Sequence, residues 1–596
     1  MPNRRAHVPL PLAVLLAVAA PACLLIAATA QDAGQSTPIA REDVGACMAC
    51  HASEMGAHPP VSLGAPDASP HNDLKCQDCH SGITGAPHTA RMLQRKAECG
   101  SCHGDALEQF MRSAHARSDK AHGDHPTCVS CHGKGDPHAV TRPAALSRRD
   151  RVALCSDCHA QKARMARYGV DTDAVPSYEE SFHGKAFLRF GMTRAAICTD
   201  CHRHHDVVSP ADPTSPTSRG HAAATCAQAG CHPGARVNFA MSGANHLRLK
   251  VKQFPALRAE EAFFRWLTLG TVAVLLLGVA LDLRKKVFAR GAGLRSGRLV
   301  AATIAASFLL LVAALLLAYR GQGSARWSAA GAFGMMALAL ALHYARPRAA
   351  RSRPTERHIP RFTVAQRWQH ALLALSFTLL AVTGMPLRFA HVEWLQGGYT
   401  LFGGIAGARI AHRVGAVILM ATWIWHTLFL LWRWRQHGFT LRSWSMWPAR
   451  KDLADLAGAV RHYVGLSPEE PRYDRFQFRE KFDYFAVYWG MPIMVFSGLV
   501  LWFPIYFGNR LPELGLAAAY IAHSDEAILA LVAIVTWHLY NTHFNPDNFP
   551  MSPAWLTGTK SESEMVREHP LEMERLEQRV AASEPPALPS PTPREE

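Results

Sequence analysis

Residues 412–426 read HRVGAVILMATWIWH and residues 523–538 read HSDEAILALVAIVTWH. Both are apolar stretches closed at each end by a histidine, His412 and His426 lying fourteen residues apart and His523 and His538 fifteen. On a helix those gaps correspond to about 21 to 22 Å and near-integral turns. Each pair therefore shares one face, and its members mark opposite sides of a bilayer core roughly 30 Å thick. Ionisable side chains inside spans are costly and usually functional. Two such helices can hold two non-covalent haem b groups, one above the other, so this half reads as an all-α membrane helix bundle.

Working outward, seven apolar runs are long enough to span, near 262–283, 299–319, 327–345, 367–388, 408–432, 483–505 and 521–541. Basic residues collect in alternate loops, as they do on the cytoplasmic side. Arg284, Lys285, Lys286, Arg290, Arg295 and Arg298 follow the first run, and Arg346, Arg348, Arg351, Arg353, Arg357 and Arg361 follow the third. Residues 1–30 carry arginines, an apolar middle and a small-residue end, Ala28-Thr29-Ala30, the pattern of a secretory signal peptide. A retained anchor or a lipid-modified Cys23 are the rival readings, and all three export residues 31–250. The protein is thus expected in the cytoplasmic (inner) membrane, multi-pass, with its N-terminal domain in the periplasm and its C-terminus in the cytoplasm. The segment KDLADLAGAVRHYV puts Leu453, Leu456, Val460 and Tyr463 near helical spacing and reads as a short surface helix.

The 596 residues average 49% hydrophobic and 18% charged, with a net charge of +16, and the averages hide two unlike halves. Residues 31–250 hold fourteen of the fifteen cysteines, and residues 262–541 hold none. A soluble cytosolic enzyme and a disordered scaffold are excluded. No nucleic-acid partner follows from the charge, because much of it flanks membrane spans.

The cysteines come in pairs, each followed at once by histidine: Cys47, Cys50, His51; Cys76, Cys79, His80; Cys99, Cys102, His103; Cys128, Cys131, His132; Cys155, Cys158, His159; Cys198, Cys201, His202; and, with four intervening residues, Cys226, Cys231, His232. C-x-x-C-H is the attachment sequence of c-type haem. Two thiols on one turn add to the vinyl groups and the adjacent imidazole becomes the proximal iron ligand. A zinc ribbon or a disulfide framework also uses C-x-x-C pairs, but neither requires a histidine after all seven. Seven covalent haems in about 220 residues leave too little chain for an ordinary apolar core, so a haem-packed, loop-rich multihaem cytochrome c domain without an extended sheet is expected. Twelve further histidines, His58, His71, His88, His115, His122, His125, His138, His183, His204, His205, His221 and His246, are available for seven distal places. The one following each motif is the expected ligand: His58, His88, His115, His138, His183, His205 and His246. No C-x-x-C-K occurs, so the lysine-ligated iron of multihaem nitrite reductases has no counterpart, which favours electron relay over substrate reduction.

In the membrane half, His412 and His523 lie toward the outside and are expected to clamp the outer haem b. His538 lies toward the cytoplasm, and both His370 and His426 qualify as its partner.

The last four spans resemble the four-helix cytochrome b family of bacterial cytochrome b561, nickel-hydrogenase cytochrome subunits and the gamma subunit of formate dehydrogenase. The likeness is carried by QRWQHALL (366–373), TGMP (383–386), HRVG (412–415), SGLVLWFP (497–504) and WHLYNTHFNPDNFPMS (537–552). It implies pairing of His412 with His523 and of His370 with His538. The His412–His426 spacing instead resembles the four-histidine arrangement of cytochrome bc-type b subunits, which keeps the inner pair open. The stretch SFHGKAFLRFGMTRAAICTDCHRHHDVV (181–208) resembles exported multihaem cytochromes and implies His183 and His205 as ligands. Residues 45–560, apart from the first three spans, resemble the inner-membrane quinol oxidoreductases of metal-respiring bacteria.

The resulting organisation is a signal peptide (1–30), a heptahaem c domain (31–255), three additional transmembrane helices (256–350) whose expected role is packing, a four-helix dihaem b domain (351–550), and a cytoplasmic tail expected to be disordered (551–596). No catalytic side chain is assigned. The resemblance implies a quinol:cytochrome c-type oxidoreductase, with quinol from the quinone pool oxidised at the b domain and electrons passed through seven c haems to a periplasmic redox protein. Arg367, Gln369, Asn541 and His543 are candidates for the quinone pocket. Reverse flow from a periplasmic dehydrogenase or hydrogenase to quinone, and a periplasmic terminal reductase, are the competing readings.

Overall fold

The computed structural model describes residues 37–38, 44–52, 70–71, 73–93, 97–117, 125–133, 137–141, 146–288, 295–319, 324–344, 356–438 and 444–583. The expected signal peptide, Cys23, His58, His122 and residues 584–596 lie outside them. The chain divides into two units, residues 1–178 with 193–240 and residues 179–192 with 241–596.

The first unit is built of short helices and loops. Four of its helices, Val44–His51, Cys128–His132, Arg148–His159 and Cys198–His202, end on a motif histidine. Each of these motifs therefore fits about one helical turn, with both cysteines and the imidazole presented together. In the seventh motif the helix Ala222–Cys226 stops at the first thiol, and the two extra residues form a loop closed by His232 N–H donating to Cys226 O at 3.0 Å. Local caps fix these turns: Ser147 Oγ accepts from Asp150 N at 3.1 Å, and Asp200 accepts from Ile197 N at 2.9 Å and pairs with Arg148 at 2.6 Å. Among the described residues the only strand pairing here is Thr37–Pro38 with Gly85–Ala86, and the loop-rich character is as expected.

The longer helices of the second unit are α1 (Pro255–Phe288), α2 (Arg295–Tyr319), α3 (Ala325–Tyr344), α4 (Val364–Arg388), α5 (Gly404–His437), the charged α6 (Arg450–Val464), α7 (Phe478–Trp502) and α8 (Gly515–Ala533). Among the described residues five stretches are long and apolar enough to cross a membrane: Pro255–Lys286, Val364–Arg388, Gly404–Gln436, Phe478–Trp502 and Gly515–Phe544. The expected second and third spans are helical, with shorter apolar segments, Ala302–Ala314 and Trp327–His343. Thr363 starts α4 with a capping box, its hydroxyl accepting from Gln366 N while Gln366 Oε1 accepts from Thr363 N at 3.0 Å. Beyond α8 the helix continues through two wide turns of π type, Ile534–His538 and Tyr540–Phe544. Such insertions re-aim side chains and are frequent at functional sites.

The first three helices pack on the end of this last helix. Gly278 lets α1 approach Trp537, a Cβ at that position falling 3.2 Å from the indole. Lys286 binds Asp282 at 3.0 Å, Asn545 at 2.7 Å and Asp547 at 2.8 Å, and Tyr540 also donates to Asp282. Val279, Leu283, Phe308 and Tyr540 form one buried cluster. Ser307 Oγ on α2 donates to Ala332 O on α3 at 2.7 Å.

The C-terminal segment differs from expectation. Residues 551–583, read as a disordered tail, are folded: Thr559–Ser561 (β2) pairs antiparallel with His358–Pro360 (β1), and α9 (Glu562–Glu568) and α10 (Pro570–Ser583) follow. Ile359, Met565 and Met573 make a small core. Beside it Glu572 is held by both Arg361 and Arg475, with Arg361 and Glu572 side chains only 1% and 7% exposed. The partners of this segment lie about one hundred to two hundred residues away in the chain, beyond the reach of local patterning.

Candidate haem sites

In the membrane unit four histidines meet in two pairs. The rings of His412 (α5) and His523 (α8) have centres 6.4 Å apart, and those of His370 (α4) and His538 are 6.3 Å apart. Two metal–imidazole bonds of about 2 Å, plus roughly an ångström from each donor nitrogen to its ring centre, place ring centres about 6 Å apart across an axially ligated iron. Both pairs fit a b-type haem.

Neighbouring hydroxyls set the tautomers. Thr383 Oγ1 donates to Leu379 O at 2.6 Å, so toward His412 Nδ1, 2.9 Å away, it can only accept. Ser497 Oγ likewise donates to Ile493 O and accepts from His523 Nδ1 at 3.1 Å. Each ring thus carries its proton on Nδ1 and leaves Nε2 for the metal. His538 Nδ1 reaches Asp483 Oδ2 at 3.1 Å, the same logic with a carboxylate. Glycines follow both hydroxyl residues: a Cβ on Gly384 would lie 3.3 Å from His412 Cε1, and one on Gly498 3.1 Å from His523 Cε1. Thr383-Gly384 and Ser497-Gly498 form a repeated Ser/Thr-Gly signal on the two helices that face the ligands. That signal was legible in the sequence but had been given no role.

His426 lies outside both pairs. Its Nδ1 meets Gln369 Oε1 at 2.8 Å and its Nε2 meets Tyr484 Oη at 3.0 Å, with Tyr488 beside them at 6.1 Å between ring centres. Both nitrogens are engaged, so the structure brings His370, rather than His426, opposite His538. Among the quinone candidates, Gln369 belongs to this cluster, Arg367 is bonded to Leu556 O, Asn541 Nδ2 donates to Trp537 O at 2.9 Å, and His543 Nδ1 lies 3.3 Å from Pro550 O. Sequence reading passed over Glu526. This span carboxyl is 3% exposed, its Oε2 has no hydrogen-bond partner, and it faces Gly490.

In the first unit five motif histidines face a second histidine at a similar spacing: His51 and His88 at 6.0 Å, His80 and His138 at 6.1 Å, His103 and His71 at 6.0 Å, His132 and His205 at 6.0 Å, His159 and His115 at 6.2 Å. The separations again match an axially ligated iron. Partners come from other motifs, and His71, outside the expected seven, stands opposite His103. His202 and His232 lie in this unit, Phe239 packing on His232 at 5.0 Å, while His183 and His246 belong to the second unit. Burial, with His159 as a second cause, lowers the His115 pKa, and burial lowers that of His159, which favours the neutral imidazole that an iron would require.

The thiols neighbour one another in chain order. Cys79 lies by Cys99 and Cys102, Cys99 by Cys128, Cys131 by Cys155 and Cys158, Cys155 by Cys198, and Cys201 by Cys226 and Cys231. Successive motifs from the second to the seventh therefore neighbour one another in the first unit.

Comparison with known proteins agrees with both halves. Residues 361–546 match the family model for prokaryotic cytochrome b561, and residues 121–164 match the doubled CXXCH motif. The cytochrome b556(fdo) subunit of formate dehydrogenase from Escherichia coli K12 is 26% identical over 182 residues, which cover 30% of this chain and 77% of the relative. The subunit from Escherichia coli O157:H7 matches to the same extent.

Proposed function

We propose that this chain, a membrane electron-transfer protein in which a multihaem c domain is fused to a cytochrome b bundle, is a quinol oxidoreductase with two b haems and seven c haems. Quinol is oxidised at the His370–His538 end of the bundle, and electrons leave by the His412–His523 end toward a periplasmic redox protein. The observation that carries this reading is the His426 cluster. A histidine inside a span, joined to Gln369 and Tyr484, sits beside the chain neighbours of the inner pair: Gln369 precedes His370, and Tyr484 follows Asp483, the partner of His538.

Oxidation of a quinol releases two electrons and two protons, so its site needs a proton-accepting group next to an electron acceptor. His426 supplies an exchangeable nitrogen, Tyr484 and Gln369 orient it, and Asp483 fixes the tautomer of His538. Haem iron supplies the one-electron redox chemistry, while the protein sets position and potential. The basic loops support an inner-membrane orientation with the c domain in the periplasm.

The test is anaerobic addition of a menaquinol analogue to the protein in nanodiscs. The b and c absorption bands are expected to become reduced, and His426→Phe is expected to slow b reduction at least tenfold while both b haems stay bound. Unchanged kinetics in that variant would remove His426 from the site. The likeness to a formate dehydrogenase cytochrome subunit favours a second reading, in which a periplasmic dehydrogenase feeds the c haems and quinone is reduced. Under it, quinol leaves the bands oxidised and quinone reoxidises the pre-reduced protein.

A further inference from the structure

The helix α6 has its polar side turned into the protein. Asp452 pairs with Lys481 at 2.9 Å, Asp455 with Lys451 at 2.6 Å, Lys285 Nζ bonds His462 Nε2 at 2.6 Å, and Tyr463 meets Arg479. Asp455 is 8% exposed, and Ala459, one turn further on, 1%. The opposite side carries Leu453, Leu456, Val460 and Val464, which are between 40% and 71% exposed. At about 100° per residue these four fall within an arc of about 80°. A helix that borders water turns its charges out. One that turns them in and leaves four aliphatic side chains outside is matched to an apolar medium.

The partners of α6 fix its depth. Lys285 lies at the end of the apolar stretch Pro255–Lys286, and Arg479 and Lys481 stand in the first turn of Phe478–Trp502. Asp452 and His462 are ten residues apart, about 15 Å of helix, and each is tied to the end of a different span. The axis of α6 therefore runs across those span ends, along the membrane plane. The chain leading into α6 lies deeper still, against the flank of α7. The Trp447 ring is 5.7 Å from that of Phe485, about two turns into α7, and Lys481 Nζ donates to Trp447 O at 3.2 Å. Trp444 packs at 5.9 Å on Tyr484, the partner of His426. Trp432 and Trp434 at the end of α5 are exposed, as is Trp447, and tryptophans collect where a bilayer meets water.

The charges match the same level. Arg450 and Arg461 are exposed and stand about three turns apart on one edge of the aliphatic stripe, and Arg433 and Arg435 are exposed near the end of α5. Aliphatic side chains bordered by arginines suit a helix lying in a lipid surface, and basic residues at that level attract anionic headgroups. We propose that α6 is an interfacial helix whose partner is the bilayer itself. Leu453, Leu456, Val460 and Val464 lie among the acyl chains of the adjoining leaflet, and Arg450 and Arg461 hold the headgroups of anionic phospholipids. This interaction is independent of the direction of electron flow.

The test uses the full chain in vesicles of phosphatidylcholine and phosphatidylglycerol. Leu453→Cys is labelled with a nitroxide, Glu469→Cys in the charged loop beyond α6 serves as the water-facing reference, and wild-type protein treated alike supplies the background. Collisions with oxygen, which partitions into lipid, and with a water-soluble nickel chelate are read by power saturation. At position 453 relaxation by oxygen is expected to exceed that by the chelate at least twofold relative to the reference. Dominance of the chelate would place the stripe in water, and weak collisions with both reagents would place it against protein, a second copy included. Either result overturns the proposal. The lipid class is read with spin-labelled phosphatidylglycerol and phosphatidylcholine. The immobilised fraction is expected to be larger for phosphatidylglycerol, and the excess to fall at least twofold in Arg450→Gln/Arg461→Gln. Equal fractions in the wild type, or an excess that the double variant retains, would overturn the anionic site.

Discussion

Thr383 accepts the Nδ1 proton of His412 at 2.9 Å while giving its own hydroxyl proton to Leu379 O. Ser497 stands in the same relation to His523. Replacing Thr383 by Val keeps the shape and strands a buried N–H, at a cost of about 1–3 kcal/mol. Partners of this kind typically account for 10–100-fold in affinity. Thr383→Val and Ser497→Ala are therefore expected each to weaken retention of the same b haem, measured as b-haem content per c haem after detergent dilution, with the other b haem unaffected.

Asp483 plays the corresponding role at the other pair. In Asp483→Asn the negative charge beside His538 is lost, the ferric state is less stabilised, and the potential of one b haem rises. A redox titration followed in the b band should show one component moving and the other fixed. Movement of both would mean that Asp483 acts on the bundle as a whole.

The glycines opposite the ligands are steric requirements. A Cβ at Gly498 would sit 3.1 Å from His523 Cε1 and one at Gly384 3.3 Å from His412 Cε1. Overpacking of this kind costs about 1–3 kcal/mol. Gly498→Ala should lower b-haem retention more than Gly384→Ala, and equal retention in both would show that the rings shift freely.

The folded C-terminal segment carries a pH dependence. His569 is fully buried, with Nδ1 2.8 Å from Asp474 O, and burial is the main cause that lowers its pKa to about 4. Above pH 6.5 the ring is neutral docked or detached, and its contribution is constant. As the pH falls from 6.5 toward 4 the detached segment binds a proton that the docked one refuses, so docking weakens by at most about 3 kcal/mol. Glu568, held by Lys560 and Arg567 at a pKa of about 2 despite burial, stabilises docking above 4.5 and loses that effect from 4.5 down to about 2. Hydrogen exchange in residues 562–583 should accelerate as the pH drops below 6.5, once corrected for intrinsic rates. His569→Gln should abolish the slope between 6.5 and 4.5, above the range in which Glu568 titrates.

What could be read from the sequence was what local spacing determines. Two thiols and an imidazole on one turn, and apolar runs of bilayer length, need no tertiary information. Ligand pairing does. His71 precedes the second motif yet faces His103 of the third, and His205 reaches back to His132, choices made by the path of loops around the array. His412 and His426 both meet residues of α4, Thr383 and Gln369. What periodicity could not tell was that Gln369 and Tyr484, on two other helices, occupy both nitrogens of His426. The folded tail escaped notice for the same reason, since Arg361 and Glu572 are partners only in three dimensions.

The central claim is that electrons enter at the b bundle and leave through the c array. The most direct measurement mixes oxidised protein in nanodiscs rapidly with a menaquinol analogue under anaerobic conditions and resolves the b and c bands in time. The account predicts reduction of b first and of c after it. Reduction of c before b, or bands that stay oxidised while quinone drains electrons from the reduced protein, would contradict it and reverse the direction of flow.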